Sequence, residues 1–234
     1  MSAIHYTMAT DGILYDAEVE YLKGTGAQYI NTRIKTANDI DIKVTVDFTD
    51  NTKLCWLFGA EEASTKNSLA AYGAKGGNSF LFNRANNAQY NATGQVILQT
   101  GFSGGFVNGV KRITTSGSLS WFGDILLFTA NRGGKPNLRE TSTIRIIDMV
   151  ILRSGAELMH LIPVRKGDVG YMYDKVSGKL FGNAGTGEFI IGPDVASANR
   201  GGGGYNRRCI RRSYRRSWRA STRFSPRHLW KEVA

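Results

Sequence analysis

Acidic side chains alternate in one short stretch of the chain, Asp39-Ile40-Asp41-Ile42-Lys43. Side chains two positions apart on a strand share a face, so paired carboxylates in such a stretch can flank a glycosidic bond and hydrolyse it. The strand motif of some glycoside hydrolases, Glu-x-Asp-x-Glu, has Glu where this chain has Asp39 and Lys43. We therefore interpret the stretch as the solvated polar face of a strand, and we predict that the chain is not an enzyme.

Other residue types that serve in catalysis are present without the spacing that catalysis needs. Cys55 lies in the apolar run "KLCWLFGA" with no recognisable base nearby, and we expect it to pack as a small hydrophobe. The Gly-rich segments lack the Lys-Ser/Thr pair and the following helix of a phosphate-binding loop, so they are interpreted as turns. The histidines are scattered and show no metal-ligand spacing: His5, His160 and His228.

Two kinds of ligand site stay open at this point. A calcium site is usually built from loop carboxylates and amides, and Asp124 and Asn131 are candidates that the sequence does not distinguish from ordinary turn residues. We expect no other cofactor. Exposed aromatic rings can stack on sugars, but Trp56 and Trp121 lie in apolar runs and are expected in the core. The sequence therefore assigns no residue to glycan binding.

Arginines recur near the C-terminus in the pattern RR-x-x-RR-x-x-RR-x-x-R over residues 207–219. A helix there would place Ile210, Tyr214 and Trp218 on an apolar stripe flanked by guanidinium groups, which suits a phosphate backbone or an anionic surface. Arginine with interleaved aromatics also suits single-stranded nucleic acid. A solvated, disordered tail and a fused or out-of-frame segment are the alternatives. The candidate nucleic-acid-binding residues are Arg207, Arg208, Arg211, Arg212, Arg215, Arg216 and Arg219.

The formal net charge of +11 is distributed very unevenly along the 234 residues. Residues 200–234 contain 11 Lys or Arg and one acid, a net of +10, whereas residues 1–199 contain 19 Lys or Arg and 18 acids, a net of +1. The basicity therefore belongs to the C-terminal tail and says little about the partners of the main body. The hydrophobic fraction of the full chain, 41%, indicates a folded protein.

Strand patterns dominate the main body. Residues 39–48 alternate strictly between apolar and polar, as in a half-buried strand. Asn108-Gly109 between two β-forming runs predicts a hairpin with a type I′ turn. Further strands are predicted at 124–129, 143–152 and 157–164, with a hinge at Ser154-Gly155 and another hairpin turning at Ser177-Gly178. The only modest helix candidate is 61–71. Many short strands with Gly and Asn turns predict an all-β, antiparallel two-sheet sandwich.

Four segments together resemble the laminin-G-like, concanavalin A-like jelly-roll domains, in the versions found in tailed-phage and prophage structural proteins of gut bacteria. The pattern typical of that group runs almost without a break from Tyr171 to Asp194. Arg33 stands where the pattern more often has Gly, and the tail after about residue 196 has no counterpart in it. The four segments are "VEYLKGTGAQYINTRIK" (19–35), "FVNGVKR" (106–112), "DILLFTANRGG" (124–134) and "LIPVRKGDVGYMYDKVSGKLFGN" (161–183).

The resemblance implies a jelly roll of about a dozen strands that binds a glycan or a protein, or serves as a virion building block. We predict an N-terminal arm over residues 1–16, the laminin-G-like domain over 17–196, a Gly-rich linker over 197–206 and the Arg-rich tail over 207–234. The tail would be disordered or form a short helix.

The leading functional hypothesis is a non-enzymatic virion structural or adhesion protein that binds another virion protein, a second copy of itself or a host-surface glycan. The N-terminus has neither the basic nor the apolar region of a signal peptide, and no apolar run is long enough to span a membrane. Both observations suit a virion protein assembled in the host cytoplasm. The alternatives are a secreted lectin or glycoside hydrolase on the same fold, and contact with packaged nucleic acid through the tail.

Overall fold

In a computed structural model of the chain, the described residues are 14–49, 54–62, 67–73, 79–91, 93–138 and 144–196. They form an all-β sandwich of two antiparallel sheets, which confirms the predicted fold class, and no α-helix occurs among them. Most of the predicted N-terminal arm and all of the linker and tail lie outside these residues.

The strands alternate with short turns along the described chain. In order they are β1 (Ala17–Glu18), β2 (Leu22–Lys23), β3 (Ile30–Lys35), β4 (Ile40–Asp47), β5 (Cys55–Glu61), β6 (Ser68–Gly73), β7 (Ser79–Arg84), β8 (Asn86–Tyr90), β9 (Gln95–Gly101), β10 (Gly104–Val107), β11 (Val110–Ile113), β12 (Asp124–Leu127), β13 (Asn131–Arg132), β14 (Lys135–Pro136), β15 (Arg145–Arg153), β16 (Ala156–Lys166), β17 (Val169–Asp174), β18 (Lys179–Phe181) and β19 (Ile190–Ile191).

The larger sheet has the strand order β11-β10-β9-β4-β15-β16-β17-β18, and β1, β2 and β19 join it beside β16 and β15. The smaller sheet has the order β14-β13-β5-β6-β7-β8, and β12 pairs with both β5 and β3. All these pairs are antiparallel except β13 with β5. Strands β18 and β3 therefore lie at sheet edges, one in each sheet.

The core lies between the sheets, and strand β4 shows why. Its alternating apolar residues, Ile40, Ile42, Val44 and Val46, are all fully buried, as predicted. Full burial of each such side chain contributes about 1.5–3 kcal/mol. The opposite face of β4 is not simply solvated, because Asp41 is only 2% exposed.

The turn residues lie where their backbone preferences require. Asn108 and Gly109 connect β10 and β11 with φ angles of 50° and 77°, which confirms the predicted type I′ hairpin. Ser154 and Gly155 connect β15 and β16 with φ angles of 50° and 86°, and the turn before Lys179 ends with Gly178 at 71°. The β10–β11 and β17–β18 hairpins therefore lie at opposite edges of the larger sheet, and the β15–β16 hairpin lies between them.

One predicted element was wrong, and one predicted strand was two residues too long. The helix candidate at 61–71 is wrong, because Glu61 ends β5 and Ser68 begins β6, where Ser68–Ala71 pair with strands on both sides. The strand predicted at 124–129 ends at Leu127. Phe128 takes a φ of 70° and donates its N–H to Leu57 O at 2.8 Å, which turns the chain out of the strand.

Candidate binding groove

A groove of about 780 Å³ opens on the side of the sandwich where edge strand β3 faces edge strand β18. We call it the β3–β18 groove. Its walls are β3, the start of β16, the β17–β18 turn and the segment from Lys179 to Ala184. Its apolar lining comes mainly from Ile34, Leu158, Met159, Leu180 and Phe181.

The groove exists because two paired segments separate. Ala184 N donates to Tyr29 O at 2.8 Å, and Thr186 N donates to Ala27 O at 3.2 Å. From Ile30 onward β3 pairs instead with β12 in the smaller sheet, while β18 stays with β17 in the larger one. The groove is the wedge between the diverging strands. Its two sides come from 19–35 and 161–183, the longest of the segments that carry the resemblance.

The closed end of the wedge depends on close backbone contact. A Cβ on Gly185 would lie 2.0 Å from Ala27 O, so any side chain at this position would force the two segments apart. Asn183 strengthens the same contact, since its Oδ1 accepts the N–H groups of Tyr29 at 3.1 Å and Gly185 at 2.8 Å. This part of the wedge is therefore held rigidly.

A β-bulge shapes the wall formed by β3. The register between β3 and β12 shifts between Asp124 and Leu126, and Arg33 takes a φ of 60°. Asn31 Oδ1 accepts the Arg33 N–H at 2.8 Å, and Thr32 Oγ1 donates to Ile125 O at 2.8 Å. Gly adopts such a left-handed backbone more easily than Arg does. The bulge also leaves the Arg33 side chain exposed.

The carboxylate in the groove wall has a structural role. Asp174 is only 1% exposed, and its oxygens accept the N–H groups of His160, Val176 and Ser177 at 2.8, 3.1 and 3.1 Å, together with the Ser177 hydroxyl. Four donors occupy the lone pairs that a general base would use. Asp174 therefore builds the β17–β18 turn. Its bond to the His160 N–H also ties this turn to β16.

Two cations stand on opposite walls of the groove. Arg33 is exposed on β3, and Lys179 is exposed on β18. Neither forms an ion pair or a side-chain hydrogen bond with any described residue. The groove thus combines an apolar lining with positive charge at its rim, and its side-chain amides and carboxylate are engaged internally.

The alternating acids Asp39 and Asp41 are each bonded to other parts of the protein. Asp41 accepts the Ser103 N–H at 2.9 Å and the Ser103 hydroxyl at 2.6 Å, which explains why the predicted solvated face is wrong at this position. Asp39 is half-exposed and lies 3.6 Å from Arg153 Nε. Their hydrogen bonds and ion pair hold the ends of strands together.

The calcium candidates, Asp124 and Asn131, are both close to the β3 wall and bonded to protein groups. Asn31 Nδ2 donates to Asp124 Oδ2 at 3.4 Å, and Asn131 Nδ2 donates to Asp124 O at 3.1 Å. No group of three or more His, Cys, Asp or Glu side chains suited to a metal ion occurs among the described residues. The arrangement supports a structural role for both residues.

The two tryptophans differ from each other. Trp56 is buried as predicted, but in a small separate cluster with Ala70 and Ala130, where its ring centroid lies 4.9 Å from that of Tyr72 and 5.6 Å from that of Phe82. The prediction for Trp121 was wrong, because its side chain is only half-buried. Cys55 is fully buried in the main core, which confirms its packing role.

The arginines at 207, 208, 211, 212, 215, 216 and 219 lie outside the described residues, so their assignment to nucleic-acid binding stays a prediction. Sequence reasoning did not find Arg33 and Lys179 as a pair. "INTRIK" and "GKLF" each indicate an ordinary strand, and nothing local shows that the two strands face each other. In the part of the chain that the structure describes, no helix is long and apolar enough to cross a membrane.

Comparison with known proteins adds no family assignment. No protein-family model matches the chain, and no curated protein matches it significantly.

Proposed function

We propose that the chain is a non-enzymatic structural or adhesion protein of a phage virion, whose sandwich domain binds another virion protein or a host-surface glycan. The observation that carries this proposal is the β3–β18 groove, an open cleft of about 780 Å³ with an apolar lining and two rim cations. Concave, largely apolar surfaces with a few polar groups are the usual form of binding sites.

The chemistry of the groove supports binding over turnover. General acid–base catalysis needs a titratable group that can reach the bond being broken, and hydrolysis of a glycoside typically needs two carboxyl groups. Asp174, the carboxylate in the groove wall, is saturated with four donors. Arg33 and Lys179 have no protein partner among the described residues and are suited to holding a ligand.

The resemblance to phage structural proteins supports the virion part of the proposal. Two of the four segments that carry it, 19–35 and 161–183, supply most of the groove walls. A role in the particle does not require the tail, which carries nearly all the net charge of the chain.

Two measurements test the proposed function. Mass spectrometry of purified phage particles from a strain that carries the gene should detect the protein as a component of the virion. Incubation of the purified protein with a panel of bacterial polysaccharides should give no new reducing ends. Release of oligosaccharides, or absence of the protein from purified particles, would contradict the proposal.

A further inference from the structure

We propose that the β3–β18 groove binds an extended, acidic peptide segment of another protein, which adds as a strand between β3 and β18. The inference rests on the proposed binding role of the groove and names the class of partner. Three properties of the groove support it: the backbone edges, the apolar lining and the charge of the rim.

The backbone edges of the groove are suited to strand addition. An edge strand directs the N–H and C=O groups of alternate residues away from its one partner, and these groups are available to a further strand. Strand β3 pairs with β12 alone over its length, and β18 pairs with β17 alone. At the closed end, 27–29 already bond to 183–186 across the same gap. A peptide placed in the wedge continues this pairing where the two strands diverge.

The dimensions and lining match an extended chain. Strand β3 has six residues, which corresponds to about 20 Å at a rise of about 3.4 Å per residue. Successive side chains of an added strand alternate between the groove and solvent. The apolar side chains of Ile34, Leu180 and Phe181 would contact the inward residues of the peptide. This is the usual division in strand addition, where backbone bonds give affinity and pockets select alternate side chains.

The charge of the rim selects an acidic peptide. Arg33 and Lys179 stand on opposite walls, are exposed, and form no ion pair with a described residue. Carboxylates on the outward positions of the peptide can pair with them. The C-terminal residues 200–234 of this chain carry a net charge of +10, so they are electrostatically unsuited to the same groove. This excludes the Arg-rich tail as the occupant.

A peptide fits the groove better than a glycan does. Recognition of sugar hydroxyls depends on precisely placed polar groups, such as side-chain amides and carboxylates. In this groove Asn31 bonds to Arg33 N and Asp124, and Asn183 bonds to Tyr29 N, Gly185 N and Gly187 O. Asp174 is saturated as well. On β3, the N–H groups of Arg33 and Ile34 already bond to Asn31 Oδ1 and Thr32 Oγ1. The other edge groups of β3 and β18 and the two cations stay available, and they are the complement of an acidic strand.

The test is selection of binders from a random, displayed dodecapeptide library with the full-length protein, followed by affinity measurements on synthetic peptides. The selected peptides should alternate apolar residues with Asp or Glu. Affinity should fall about tenfold or more in the double variant R33E/K179E, because two attractive charge contacts become repulsive. Lys135→Glu is the matched control, since Lys135 is exposed on β14 and does not line the groove. Amide hydrogen exchange in β3 and β18 should slow when the peptide is bound.

Several results would overturn the inference. These are a selection without acidic enrichment, equal losses in R33E/K179E and Lys135→Glu, or slowed exchange outside the groove walls. Binding of a sulfated glycan with the same charge dependence, in place of peptides, would make a polyanionic sugar the occupant. A further experiment is deletion of residues 1–13. Faster amide hydrogen exchange in β3 and β18 after the deletion would identify residues 1–13 as the occupant. Mass spectrometry of virions is independent of these outcomes, so failure of the peptide inference and failure of the proposed function are distinguishable.

Discussion

Two hairpins of this sandwich each have a buried charged side chain at the turn, and the two side chains differ in how fully their hydrogen bonds are satisfied. In the β17–β18 hairpin, Asp174 is 1% exposed and accepts four hydrogen bonds, three of them from the turn that it begins. In the β7–β8 hairpin, Arg84 is 4% exposed and donates from Nη2 to Asn38 O at 3.1 Å. Its Nε and Nη1 have no acceptor among the described residues.

The two turns also differ in the residue type that takes a positive φ. The β17–β18 turn has Gly178 at its one position of positive φ, 71°. In the β7–β8 turn the pair Asn83 and Asn86 closes a two-residue loop, and Arg84 takes a φ of 55°. Gly is the residue that usually occupies the first position of such a loop. Burial lowers the pKa of the Arg84 guanidinium, and the nearby negative charge of Asp41 partly opposes this shift.

Burial alone does not tell whether a charged residue stabilises a fold. A buried charge whose partners are supplied locally fixes the turn, whereas a buried charge with unmet donors costs free energy. Asp174 belongs to the first class and Arg84 to the second.

The largest effect is expected for Asp174→Ala. Removal of the carboxylate leaves the N–H groups of His160, Val176 and Ser177 without their acceptor, and we expect a loss of about 3 kcal/mol in the free energy of unfolding. Asp174→Asn keeps one acceptor oxygen and should lose about half as much. Urea denaturation at neutral pH measures both. A loss below about 1 kcal/mol for the alanine variant would show that the turn does not need its carboxylate.

Arg84→Gly is expected to change stability in the opposite direction. The substitution removes two buried donors without acceptors and relieves a positive φ, at the cost of one hydrogen bond to Asn38 O and some side-chain packing. We expect a net gain of about 1 kcal/mol in the free energy of unfolding. Arg84→Ala keeps the backbone strain, so its free energy of unfolding should lie between those of the wild type and Arg84→Gly. A large loss in both variants would place Arg84 in the same class as Asp174.

Arg33→Gly measures the strain of a positive φ without the free-energy cost of a buried guanidinium. Arg33 has a φ of 60°, close to that of Arg84, but its side chain is exposed. Only strain is relieved, so the expected gain is about 0.5 kcal/mol, while Arg33→Ala should be close to neutral. The same urea curves measure the effect. A gain as large as that of Arg84→Gly would mean that strain explains both positions and that the buried guanidinium costs little.

Much of the fold was predictable because it depends on local patterns. The alternation of residues 39–48 placed β4 and its buried face, and Asn108-Gly109 placed a turn whose φ angles only a few residue types adopt easily. The burial of Asp41 was not predictable in the same way. Its partner is Ser103, 62 positions away, in a loop that reaches β4 only in the folded sandwich.

The groove was also beyond local reasoning, for the same physical reason. Its closed end depends on contacts such as Tyr29 N with Asn183 Oδ1, between residues 154 positions apart. The divergence of β3 and β18 follows from which sheet each strand joins, and the strand periods alone do not specify that choice. Arg33 left one local signal, since a position that often has Gly in the resembling pattern indicates a backbone with positive φ.

The smallest effect is expected for the exposed pair Arg165 and Asp194, which is well bonded but not buried. Arg165 Nε and Nη2 donate to the two carboxylate oxygens at 2.6 and 2.7 Å, and these hydrogen bonds lower the pKa of Asp194 below its ordinary value of 3.8. A carboxylate with a lowered folded-state pKa stabilises the fold above its unfolded pKa, and this contribution is lost as the pH falls through the folded value. The difference in urea midpoint between wild type and Asp194→Asn should therefore be constant near neutrality and shrink below about pH 4.

Salt gives a second test of the same pair. Because both side chains are solvent-accessible, high ionic strength should reduce the wild-type advantage over Asp194→Asn at neutral pH, whereas it should barely change the effect of Asp174→Asn. The pair at 194 has shorter hydrogen bonds to its carboxylate than most of those at Asp174. If Asp194→Asn nevertheless proved the more destabilising, bond geometry and not desolvation would set the ranking, and the contrast between Asp174 and Arg84 would need another cause.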